Sequence, residues 1–194
     1  KTDFWLDLKI NDIPQTAMSA IDSLKDLKKC KYITVHANGG MEMLKAVKRK
    51  AKKIITQTKT KKIKIIPKFG LQFFYSKKGR KFLENTKNDF WLDLKINDIP
   101  QTALSAIDSL KDLKRCKYIT VHANGGLKML KAVKKKSKEI NKNIKILGVT
   151  ILTSLDNKSL KEIGHTKKIK QLVLKQADLI KKSSCDGIVC SAQE

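Results

Sequence analysis

Arginine is scarce in a chain otherwise crowded with positive charge. Only Arg49, Arg80 and Arg115 break a lysine population that sets 43 basic residues against 18 acidic ones, a formal net charge of +25. Base-edge reading and bidentate phosphate contacts favour the guanidinium group. No aromatic side chains are interleaved with the basic runs to stack bases. Specific nucleic-acid binding is therefore not expected, whereas weak, non-specific adhesion to polyanions is. The lysines fall mainly on predicted outer faces of helices, and Ile and Asn are abundant. A bias toward AT-rich codons accounts for that charge as well as a binding role does.

Other absences narrow the class further. No apolar run approaches the ~20 residues of a membrane span, and no signal-peptide pattern opens the chain. A soluble, cytoplasmic protein is the expectation. None of the four cysteines, Cys30, Cys116, Cys185 and Cys190, sits in a C-x-x-C pair, so a zinc or redox motif is unsupported and free buried thiols are expected. No G-x-G-x-x-G or G-K-[ST] loop follows a strand, which removes support for nucleotide binding of those types. The chain does not open on Met and stops at Gln193-Glu194 after an apolar run, so both ends are expected to be cut. Its 194 residues suffice for one cored domain but fall short of the roughly 250 typical of a complete (β/α)₈ barrel.

What is present is dominated by a repeat. Lys1–Lys52 returns as Lys87–Lys138 with mostly conservative changes, such as Met18 against Leu104, Lys29 against Arg115 and Met41 against Leu127. Glu42 against Lys128 reverses charge. Old repeats drift further than this. A tandem duplication, a decaying gene and an assembled sequence all remain open.

Each copy reads β-α-β-α. In the second, Phe90–Lys95 is an apolar-rich strand, and Pro100 suits the first turn of a helix. That helix has an apolar stripe of Ala103, Ala106, Ile107, Leu110 and Leu113. Tyr118–Ala123 is the next strand, and Leu127, Leu130 and Val133 begin another helix. Ile63–Phe74 reads as a strand, Ser76–Asn85 as a turn and short helix, and Ile144–Ser154 as a buried strand. A loop, a helix around Ile169, Leu172, Val173, Ala177 and Ile180, and a strand at Gly187–Ser191 complete the chain. Strands alternating with amphipathic helices predict an α/β fold with a parallel sheet. An incomplete (β/α) TIM barrel of about seven strands is expected, near the eight of a closed one.

The string Asp93-Leu94-Lys95-Ile96-Asn97-Asp98-Ile99-Pro100-Gln101-Thr102 is the densest in chemistry. Alternation along a strand points Asp93 and Lys95 the same way, and Asp98 lies beyond the strand's C-terminal end, where barrel sites are built. Two carboxylates bracketing a lysine hold its ammonium charged and in place. Desolvation offsets most of the Coulomb gain of burying such a cluster. On spacing alone, a catalytic site and a structural ion-pair network at the barrel mouth fit equally. His122 and His36, at strand ends, read as scaffold or rim, and His165 as a solvated loop residue.

The run D-L-K-x-x-D-I-P-x-T resembles the signature of orotidine 5'-monophosphate decarboxylases. Val121–Gly126, Gly148–Ser154 and Asp186–Glu194 are similar to that family's V-H-A-x-G-G, V-T-x-L-T-S and D-G-V-V-C-S-A-Q-E segments. Lys68–Phe74 resembles the K-V-G strand that precedes the signature. Related sugar-phosphate enzymes share D-x-K-x-x-D, but I-P-x-T favours the decarboxylase.

The resemblance implies conversion of orotidine 5'-monophosphate to UMP and carbon dioxide in pyrimidine biosynthesis, with neither metal nor organic cofactor. It makes Lys95 the acid that protonates C6 and Asp93 the group that crowds the substrate carboxylate and orients Lys95. Lys68 would contact the ribose, and Thr153 would lie at the pyrimidine. Asp98, Ile99 and Thr102 would reach into the neighbouring subunit's site across a homodimer. The duplicate equivalents are Asp7, Lys9, Asp12, Ile13 and Thr16.

Residues 1–62 are expected to be a duplicated β/α segment and 63–194 the decarboxylase-like core, within one structural domain. The second copy is expected to hold the more native-like site. The first copy should pack beside the Lys68 strand, in space left by missing strands. The family's first strand is not found before Lys68, and its last two, with the phosphate-gripping Gln and Arg, would follow Glu194. Impaired activity is the expectation. A non-catalytic remnant of the enzyme and a basic protein binding nucleic acid non-specifically are the alternatives.

Overall fold

In the computed structural model of the chain, residues 4–10, 13–24, 30–36, 40–58 and 64–191 are described. The chain divides into two compact units, Lys1–Phe82 with Thr86–Trp91 and Leu83–Asn85 with Leu92–Glu194.

The first unit begins with β1 (Phe4–Ile10), α1 (Pro14–Asp22), β2 (Cys30–His36) and α2 (Gly40–Thr58). Then come β3 (Lys64–Gly70) and the single turn α3 (Leu71–Phe74). Pro14 opens α1, where its missing N–H costs nothing and its fixed φ already suits a helix. Strand β1 pairs with β2 in parallel, and β2 with β3 in parallel from Tyr32↔Lys64 to His36↔Lys68. The duplicate therefore adjoins the Lys68 strand, the neighbour its order in the chain predicted. Ala17, Ile21, Ile33, Val35, Met43 and Val47 form the core between these helices and strands.

Helix α4 (Gly79–Asn85) and strand β4 (Phe90–Ile96) cross the division between units. The second unit continues with α5 (Pro100–Asp108), β5 (Cys116–His122), a 3₁₀ turn (Ala123–Gly125) and α6 (Gly126–Ile140). It ends with β6 (Lys145–Val149), α7 (Asn157–Glu162), α8 (Ile169–Lys182) and β7 (Gly187–Val189). Strand β6 pairs in parallel with both β5 and β7. The apolar stripes do what their spacing predicted: Ala103 and Ile107 of α5, Leu130 and Val133 of α6, and Leu172, Val173 and Ile180 of α8 are buried. Seven strands in chain order alternate with helices among the described residues.

Several boundaries differ from the sequence reading. The expected strand Ile63–Phe74 ends at Gly70, and Leu71–Phe74 turns into a helix closed by Tyr75 N–H on the Leu71 carbonyl. The apolar run persists across that reversal because the Phe73 ring packs back on Phe69, centroids 4.8 Å apart, and on Phe82 at 5.8 Å. The expected strand Ile144–Ser154 stops at Val149. Thr150 still donates to the Val189 carbonyl, and Leu152–Leu155 then close a turn. Helix α7 occupies a stretch expected to be loop, and Asp156 caps it by accepting the Ser159 N–H at 2.7 Å. Ile63 lies outside the described residues.

The thiols also divide. Cys30 and Cys116 are buried, Cys185 is half-buried, and Cys190 is exposed rather than buried. Cys190 follows the end of β7, where regular pairing has stopped. No helix among the described residues is long and apolar enough to cross a membrane.

Candidate active site

Strand β4 delivers Asp93 and Lys95 to its C-terminal end. Lys95 Nζ donates to Asp93 Oδ2 at 2.6 Å. The Asp93 side chain is 6 % exposed and that of Lys95 38 %, so the carboxylate is enclosed while the ammonium keeps one side open to an incoming molecule. Strand alternation alone does not produce this meeting. Lys95 has φ 51°, the left-handed region that costs a non-glycine residue roughly 1–3 kcal/mol.

Thr120 of β5 spans the irregularity. Its hydroxyl accepts the Lys95 backbone N–H at 2.9 Å and donates to Asp93 Oδ1 at 2.7 Å. Nothing in the spacing pointed to this residue, because its partners lie 25 and 27 positions away.

His122 closes the same end of β5, level with Val149 of β6. Burial, and next the Lys95 charge, push its pKa below the ordinary imidazole range, against opposing pulls from the Thr150 backbone and Asp93. Both effects disfavour the charged imidazolium.

The other expected residues are spread around this centre. Asp98 is not drawn into the Lys95 pair. It lies in the exposed turn after β4, and its carboxylate accepts the adjacent Ile99 N–H at 2.7 Å. The expected bracketing of Lys95 by two carboxylates is thus not formed within this chain, since β4 ends at Ile96 and the turn carries Asp98 outward. Ile99 is 66 % exposed as the residue before α5. Thr102 is exposed on the first turn of α5, and Thr153 is exposed in the turn beyond β6. Lys68, in the first unit, is buried on β3 with its ammonium 4.6 Å from the centre of the Trp91 ring, a cation–π contact.

In the first copy, Ile13 and Thr16 are exposed at the start of α1. Asp7 and Lys9 belong to β1, but their side chains lie outside what is described, and so does Asp12 altogether. No cluster of potential metal ligands occurs among the described residues.

Chemically, the centre is a carboxylate–ammonium pair at the C-terminal end of a parallel strand, the place where (β/α) barrels keep their sites. A model of the orotidine 5'-phosphate decarboxylase / HUMPS family matches residues 55–194, which takes in the second copy and nearly all of the chain after the first. The orotidine 5'-phosphate decarboxylase of Carboxydothermus hydrogenoformans is 41% identical over 134 residues, 66% of this chain and 55% of that protein. That of Wolbachia pipientis subsp. Culex pipiens is 39% identical over 129 residues, 66% of this chain and 56% of that protein. The chain spans about half the length of the curated relatives it matches.

Among solved structures, the orotidine 5'-phosphate decarboxylase of Lactobacillus acidophilus superposes with a TM-score of 0.53 at 24% identity, covering 98% of this chain and 72% of that one. An uncharacterized conserved protein from Geobacillus kaustophilus does so with a TM-score of 0.51 at 22% identity, covering 97% and 74%. These likenesses bear on the fold, an incomplete set of the parallel β/α units that make a (β/α) barrel, with seven strands among the described residues. The segments that carry the site are those the family model covers, and the chain belongs to the orotidine 5'-phosphate decarboxylase / HUMPS family.

Proposed function

We propose that this chain carries the decarboxylating centre of an orotidine 5'-phosphate decarboxylase, converting orotidine 5'-monophosphate to UMP and carbon dioxide. The observation that carries the reading is the Lys95–Asp93 pair, 2.6 Å long and enclosed on the carboxylate side, at the end of β4. A substrate carboxylate set against the fixed Asp93 charge is destabilised by like-charge repulsion. As the C6–carboxyl bond breaks, its electron pair stays on C6, and the Lys95 ammonium lies ready to stabilise that charge and give it a proton. Preorganised charge of this kind does its work without reorganising at the moment of reaction.

On the same reading, Lys68 serves the ribose and Thr153 the pyrimidine. Asp98, Ile99 and Thr102, all exposed around the start of α5, face a second copy of the chain in a homodimer. Residues 63–194 are the decarboxylase-like core and 1–62 a structural duplicate, in a cytoplasmic enzyme.

The test is UMP formation from orotidine 5'-monophosphate by the purified chain, with Lys95→Ala as control. Turnover that Lys95→Ala abolishes and Lys9→Ala leaves intact is the expected result. Equal rates for the chain and for Lys95→Ala would reject the assignment.

A further inference from the structure

The enclosed hydroxyl of Thr120 is the polar group whose placement the acid–base pair itself does not account for. Thr120 is fully buried in β5, where a hydroxyl without partners would be costly and a valine would serve a strand equally well. A threonine hydroxyl has one proton to give and lone pairs to receive, and both capacities are used here. The proton goes to Asp93 Oδ1 at 2.7 Å, and a lone pair takes the Lys95 N–H at 2.9 Å. Asp93 is thereby held at one oxygen by Thr120 and at the other by Lys95 Nζ. The left-handed backbone of Lys95 has its N–H satisfied by the same atom that fixes the carboxylate.

We propose that Thr120 is a positioning residue for the decarboxylation, setting the backbone and the carboxylate from which Lys95 acts. The inference rests on the reading of Lys95 as the acid. Thr120 touches neither substrate nor reacting atoms on this account. It acts by restricting where the ammonium can go, so its loss falls on the chemical step rather than on binding.

The variants are Thr120→Val, which keeps the shape and removes the hydroxyl, Thr120→Ala, in case the valine variant does not fold, and Thr120→Ser, which keeps the hydroxyl. In the full chain, Thr120→Val or Thr120→Ala is expected to lower kcat for UMP formation by roughly 10–100-fold, the usual consequence of losing a hydrogen bond to a charged group. KM should stay within about threefold, and Thr120→Ser should restore the rate to within about threefold.

A second readout does not depend on turnover. Hydrogen exchange at the Lys95 amide, relative to amides of β6, should quicken by about tenfold or more without the hydroxyl and stay near the parent with serine. If the parent chain makes no more UMP than Lys95→Ala, the decarboxylase reading falls, and the exchange measurement still decides whether Thr120 fixes Lys95. Unchanged Lys95 exchange in the valine or alanine variant, or a KM rise with kcat preserved, would overturn the proposal.

Discussion

Removing Asp186 should destabilise the chain far more than removing any acidic residue from its surface. Asp186 Oδ2 takes both the Lys134 ammonium of α6 and the Ile146 N–H of β6, the latter at 2.8 Å, and the Asp186 N–H returns to the Ile146 carbonyl at 2.8 Å. The Lys134 side chain is only 9 % exposed and that of Asp186 26 %. Breaking a buried pair from one side leaves the surviving charge without compensation, commonly about 3–5 kcal/mol. Partial access of water to Asp186 lowers that to roughly 2–4 kcal/mol, the lost Ile146 bond included. At roughly 2–4 °C per kcal/mol for a chain of this size, Asp186→Ala should lower Tm by about 5–15 °C.

Urea unfolding should report the same loss as a lower midpoint at unchanged slope. The double variant Lys134→Met with Asp186→Ala leaves no buried charge behind and should recover a good part of the loss. Asp178, paired with Lys182 on α8 with both side chains more than half exposed, supplies the comparison, since such pairs contribute little. If Asp186→Ala shifts Tm no more than Asp178→Ala, or if the double variant is worse than Asp186→Ala, the pair is not the buried latch described here.

Because burial and Lys95 hold the pKa of His122 down, the unfolded chain takes up a proton near pH 6.5 that the folded chain refuses. Stability from this group is complete above that pH and is lost as pH falls through it toward the folded pKa. His122→Gln should flatten the decline in urea stability on acidification below pH 6.5, and an unchanged pH slope would count against it. Cys116 is buried, with its pKa pushed up to about 12 by desolvation, whereas Cys190 is exposed. A thiol reagent at pH 8 should modify Cys190 in the native chain and reach Cys116 only on unfolding, so labelling of both at one rate would refute the packing. A methyl on Gly79 would sit 1.7 Å from the Phe73 carbonyl oxygen, while one on Gly70 meets nothing within 4 Å. Gly79→Ala should therefore cost about 1–3 kcal/mol or more by urea titration and Gly70→Ala little, and equal midpoints would sink the contrast.

The alternation of elements was legible because periodicity reports burial, and burial organises both helices and strands. Where elements end was less so. Leu71–Phe74 and Thr150–Ser154 continue apolar or strand-like runs past a reversal of the chain, and composition does not mark the reversal. Asp156, three residues ahead of Ser159, was a readable cap for α7. In the site, Asp93 and Lys95 could be found from strand alternation and resemblance. The positive φ of Lys95 could not, since no glycine or asparagine flags it. Thr120 and Asp186 escape a local reading for one reason: each acts on residues tens of positions away.

The repeat separates these two kinds of information within a single molecule. Interactions closed inside a β-α-β-α copy recur: Lys50 meets Asp22 at 2.8 Å and Lys136 meets Asp108 at 2.7 Å, each joining the two helices of its copy. Ile13 and Ile99 precede their helices with nearly the same dihedrals, φ −61° and ψ 153° against φ −61° and ψ 152°. Interactions that need a residue outside the copy do not recur. Lys134 is buried because Asp186 receives it, while the matching Lys48 is exposed and donates to Asn88. Duplicating the string thus reproduces the scaffold, whose contacts are local. The Lys134–Asp186 pair is not reproduced with it, because Asp186 lies outside the copy. The second copy is also the one that the family model covers, and on the proposed reading decarboxylation is sought there first.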